Sequence, residues 1–141
     1  MRLDPDNPVV ALCVAGMHVE GTPAEARALF EQAWAARRTD YEASIAAHFL
    51  ARHQETPADT LHWNLVAVRH AEAVPEDGAA EFMASLYLNL GDSYLATGQR
   101  ALATVAVDRA AVSLPALASD GYRAFVERGI NGLRQRLLRD P

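Results

Sequence analysis

Lysine is absent from this chain: all thirteen basic residues are arginine, set against eighteen acidic residues for a net charge of −5. A nucleic-acid partner, which calls for a basic surface, is therefore not expected. With its abundant alanine, the arginine bias fits a GC-rich, bacterial coding sequence. Cysteine occurs once, as Cys13. A lone thiol has no partner in the chain, so a reducing, cytoplasmic setting is expected. Cys13 lies in the apolar run Val9–Val14 and reads as a small core residue rather than a nucleophile. Half of the residues are apolar, yet no run approaches the ~20 apolar residues of a membrane span. No membrane association is expected, and Met1-Arg2-Leu3-Asp4-Pro5 lacks the form of a signal peptide.

The motifs of common chemistries are missing as well. The chain contains no His-Glu-x-x-His, no Cys-x-x-Cys, no glycine-rich phosphate loop and no Gly-x-Ser-x-Gly elbow. Its five histidines include His62 and His70, eight apart on one helix and too distant to share an ion. No metal site, no cofactor and no catalytic constellation is expected.

What is present is a repeated phrase. Gly21-Thr22-Pro23-Ala24-Glu25 recurs, 34 residues on, as Glu55-Thr56-Pro57-Ala58-Asp59. Each phrase reads as a helix start. Thr22 and Thr56 suit the N-cap, Pro23 and Pro57 the first helical position, and Glu25 and Asp59 the positive end of the helix dipole. Apolar residues recur at steps of three and four, with no strand-like alternation. The pattern predicts seven helices, over Pro8–Val19, Pro23–Arg37, Tyr41–His53, Pro57–Ala73, Ala79–Ala96, Arg100–Ser113 and Asp120–Arg139.

The period and the residue pattern together resemble the tetratricopeptide repeat. With Asn7 as position 1, Gly21, Ala26, Phe30 and Ala33 take positions 15, 20, 24 and 27. In a third unit Leu90, Gly91 and Tyr94 take positions 7, 8 and 11, and Gly98, Ala103, Val107, Ala110 and Pro115 follow at 15, 20, 24, 27 and 32. The middle unit keeps Ala67 at 27 but has Thr60 and Asn64 at 20 and 24, and about nine extra residues precede the third unit. The resemblance implies an all-α fold of three antiparallel helix pairs, stacked as a right-handed superhelix and closed by a C-terminal capping helix. The units span about 7–40, 41–83 and 84–117, with the cap at 119–139.

The resemblance also implies a concave groove lined by the first helix of each pair. Its expected partner-binding residues are His18, Phe49, Arg52, His53, Leu88, Asp92 and Leu95. The Lys and Asn that some members use to clamp a peptide's terminal carboxylate are lacking here, so that activity does not carry over. The expected function is protein–protein interaction, as an adaptor or regulatory module taking a peptide or helix in the groove. A small-ligand regulator or enzyme with a pocket between the second and third pairs is the alternative. Another is a self-associating structural protein, and a homodimer is compatible with any of these. The last helix carries Tyr122, Val126, Ile130, Leu133 and Leu137 on one face, as an end cap requires. Its arginines, Arg128 and Arg134 among them, offer a second docking face for an acidic partner.

Overall fold

The computed structural model describes residues 3–118 and 120–139. Met1, Arg2 and residue 119, the first of the expected cap range, lie outside them. The described chain is all-helical: α1 (Pro8–His18), α2 (Pro23–Ala35), α3 (Asp40–Ala51), α4 (Pro57–Ala73), α5 (Ala80–Ala96), α6 (Arg100–Ser113) and α7 (Gly121–Arg139).

Caps and prolines set the helix starts. Pro8, Pro23 and Pro57 each open a helix. Asn7 Oδ1 accepts from the amides of Val9 and Val10 at 2.9 and 3.1 Å, and Thr56 Oγ1 accepts from Asp59 N at 3.1 Å. Thr39 Oγ1 accepts from Glu42 N at 3.1 Å, which brings Asp40 into α3 one residue earlier than the apolar pattern indicated. Thr22 departs from expectation. Its side chain caps nothing, and only its carbonyl accepts, from Glu25 and Ala26. Helix ends α1, α2 and α3 stop one or two residues short of the predicted bounds, where the last turns tighten into three-residue hydrogen bonds. Gly98, at φ +77°, ends α5: its amide bonds Leu95 O and that of Gln99 bonds Tyr94 O.

The helices pack in chain order, each against the next, with α1 also against α3 and α5 also against α7. The most extensive contacts lie within the pairs α1–α2, α3–α4 and α5–α6. Small residues allow this closeness: Ala26, Ala33, Ala67, Ala103 and Ala110 are fully buried. The ring of Phe30 lies directly over Gly16, and it stacks on Phe49 with centroids 5.2 Å apart. Central α3 is buried nearly all round, from Glu42 to Ala51. The extra residues before the third unit lengthen α4 and α5, each 17 residues, and form the Pro75–Gly78 turn between them.

Gly91 meets two helices at once. A Cβ on it would lie 2.8 Å from Leu133 Cδ2 of α7, and about as near as ordinary contact allows to Ala103 and Ala106 of α6. Leu133 is fully buried and has no solvent to turn into. Gly91→Leu should therefore cost about 2 kcal/mol through overpacking. Gly91→Ala should stay near the parent, its clash offset by better helix propensity. Denaturant midpoints test both, and a Leu variant as stable as the parent would show that α5 has room to spare. The same measurement separates the two repeated phrases. Thr56→Ala should lose about 1 kcal/mol, and Thr22→Ala, with no side-chain bond to lose, no more than ~0.3 kcal/mol.

Candidate functional site

A cleft opens between α3, α4, α5 and α7. Two cavities form it, of about 350 and 470 Å³, and they share His48, Arg52, Asn89 and Phe125 as walls. Phe125 of α7 is 65 % exposed there, an unusual position for a phenylalanine. Arg52, just past the end of α3, stands where the two cavities join.

The floor is polar and mostly satisfied. Asn64 Nδ2 donates to Ser93 Oγ at 2.7 Å. Asn89 Nδ2 approaches His48 Nδ1 at 3.5 Å. The Ser85 hydroxyl bonds the Tyr122 hydroxyl and ties the floor to α7. His48 is 9 % exposed. Burial pushes it down to about 4, with help from the Arg52 charge and some opposition from Glu20. It is thus a neutral donor and acceptor at physiological pH.

The predicted groove residues divide into three groups. Phe49, Arg52, Leu88 and Asp92 do line the cleft. Phe49, however, belongs chiefly to the core, stacked on Phe30. Leu88 presses on Gly129 of α7, and Asp92 is ion-paired with Arg136, so α7 lies over both residues. His53 is turned away to Glu20. Glu20 binds His53 Nε2 at 2.8 Å through one oxygen and Arg52 Nη2 at 2.9 Å through the other. His18 is exposed and Leu95 half-buried, and neither borders the two cavities. On α7, Arg134 pairs with Asp108 at 3.1 Å, while Arg128 is exposed.

His48, Asn64, Asn89, Ser93 and Phe125 escaped the sequence reading. One signal was available. Asn64 takes position 24, where the other units carry Phe30 and Val107. A polar residue in that register needs a buried partner, and Ser93 supplies it.

Elsewhere the chemistry is quiet. Cys13 is fully buried, and burial pushes its thiol up to about 12, which keeps it unreactive. Among the described residues no three His, Cys, Asp or Glu side chains gather as a metal site, and no helix is long and apolar enough to cross a membrane. No protein-family model, curated protein or solved structure matches the chain.

The state of His48 carries a pH prediction. Its folded pKa of about 4 lies below the unfolded value of 6.5. The unfolded chain therefore takes up a proton first on acidification. The stabilising contribution is complete above pH 6.5 and is lost as the pH falls toward 4, on the order of 3 kcal/mol in all. His48→Gln should flatten that part of the stability–pH curve, measured by urea unfolding. A variant with the parent's slope would show that another group titrates.

Proposed function

We propose that the chain is a tetratricopeptide-like stack of three helix pairs, wound as a right-handed superhelix and capped by α7, and that its cleft binds a peptide segment of a partner protein. The packing in chain order and the buried alanines at repeat-related positions support the stack. The observation that carries the function is the continuous cleft, with exposed Phe125 on one wall and Arg52 at its centre. An aromatic wall offers a peptide side chain an apolar contact, and the guanidinium and the Asn89 amide can take backbone carbonyls or an acidic side chain. Since α7 lies over Leu88 and Asp92, the peptide is read chiefly by Arg52 after α3, Asn64 of α4, Asn89 of α5 and Phe125 on the exposed face of α7. The role is that of an adaptor or regulatory module.

A second reading rests on the polar floor. His48, Asn64, Asn89 and Ser93 in a cleft of this volume also suit a small polar ligand, as a sensor would bind.

Selection from a displayed random-peptide library, followed by binding to variants, tests the first reading. Selected peptides should bind the parent and lose at least about tenfold in affinity on Phe125→Ala, as an exposed aromatic anchor would. Arg52→Ala should weaken them too, with helical content unchanged. Asp92→Arg is a poor probe, because it breaks the ion pair to α7. If no peptide is enriched, or if Phe125→Ala binds equally well, the peptide reading fails. A metabolite that raises the melting temperature in the parent but not in Arg52→Ala would then put the small-ligand reading first.

A further inference from the structure

The outer face of α6 carries an apolar seam that no other described element covers. Leu102, Val105 and Val112 are 45, 50 and 81 % exposed. With Arg109 they fall at steps of three, four and three, the spacing of the two seam positions of a heptad. The opposite face, Ala103, Ala106, Val107 and Ala110, is the buried one, so the seam is additional to the core. Valine is a poor choice for an open helix surface. Its branched side chain loses rotamer freedom there and gains no burial in return. A shallow hollow of about 410 Å³ flanks the seam, with Tyr87 and Arg109 among its walls.

We propose that this face docks a second copy of the chain, α6 antiparallel on α6, about a two-fold axis near Val107. Charge decides the occupant. Arg109 in the seam and Asp108 beside it are adjacent, opposite in sign and central. An axis at residue 107 sets position 102 against 112, and 105 against 109. Apolar side chains then meet at both ends, and the stem of Arg109 lies along the second copy's Val105. Each Asp108 falls within about one helical turn of the second copy's Arg109. This is the self-complementarity that an isologous contact needs. A partner of uniform charge would instead meet repulsion from one of the two. Asp108 is already held by Arg134 at 3.1 Å, which fixes its direction. An arginine at a seam position sets register at some cost in strength. The seam is short, so the dimer is weak and forms with rising concentration. None of this rests on the cleft, which shares no residue with the seam.

Sedimentation velocity on the full chain, from low micromolar to near-millimolar, tests the proposal. A monomer–dimer equilibrium is expected. Val112→Glu should raise its dissociation constant at least about tenfold with helical content unchanged, since the side chain points outward. Oxidative cross-linking reads the register. Leu102→Cys mixed with Val112→Cys should give a disulfide-linked dimer, while Val112→Cys alone should not. A chain that stays monomeric throughout overturns the proposal, as does a dimer that Val112→Glu leaves intact. Efficient cross-linking by Val112→Cys alone overturns the antiparallel arrangement.

Discussion

Two helices can approach closely only where the side chains between them are short, and the rest of this fold depends on where those short side chains stand. Ala33 and Ala67 are 34 residues apart and Ala110 follows after 43, the period plus the nine added residues. All three are fully buried. They let α2, α4 and α6 lie against their partners, which leaves the larger residues to fill the spaces between pairs. Phe30 and Phe49 join the first pair to the second, and Trp34 meets Trp63 edge-on with centroids 5.0 Å apart. Gly91 extends the same logic to α7. Because it has no side chain, Leu133 can seat against α5, and the cleft acquires its far wall.

Charge works differently on this scaffold. Three arginine ion pairs join partly or fully exposed side chains across elements: Arg52 to Glu20, Arg134 to Asp108, Arg136 to Asp92. Each contributes little to stability, but each fixes an orientation that packing alone leaves loose. Glu42 is the exception. It is buried at the start of α3, and it accepts from Asn7 Nδ2 at 2.9 Å, Arg38 N at 2.8 Å and Arg38 Nη2 at 3.1 Å. The Arg38 hydrogen bond, aided by Asn7, holds its carboxyl below the usual range against the opposing effect of burial. Through Asn7 the same carboxylate also fixes the cap of α1. One acidic side chain thus aligns two helices and the turn before α3.

Most helices were legible because their signals are local. A proline at the first helical position, a capping side chain and apolar steps of three and four lie within a few residues of one another. The stripe Tyr122 to Leu137 was equally plain, and Val126, Ile130 and Leu133 are buried as it required. The cleft was less legible because its walls come from positions 48, 64, 89 and 125, which only packing brings together. Thr22 shows a smaller failure of the same kind. The phrase around it matches that around Thr56, but its backbone leaves the extended conformation a cap prefers, at ψ 86° against 151° for Thr56. Register assigned the groove positions, and the chain's own last helix lies over two of them, Leu88 and Asp92.

The placement of α7 links the two surfaces proposed for the molecule. Val126, Ile130 and Leu133 of its apolar stripe are buried against the other helices, so the helix is held rather than free. Its main contacts are to α5 and α6. Phe125 reaches the cleft from one part of it, and Arg134 reaches Asp108, beside the α6 seam, from another. The cleft and the seam share no residue, so a dimer formed through α6 leaves both clefts open. Such a dimer would present two clefts in one rigid body, and two weak peptide contacts on a single partner would then reinforce each other through effective concentration. If the cleft takes a peptide as proposed, one aromatic anchor and one guanidinium already held by Glu20 make a modest site alone. Pairing it by symmetry would then give selectivity for partners that carry two suitably spaced segments, with no added contact inside either cleft.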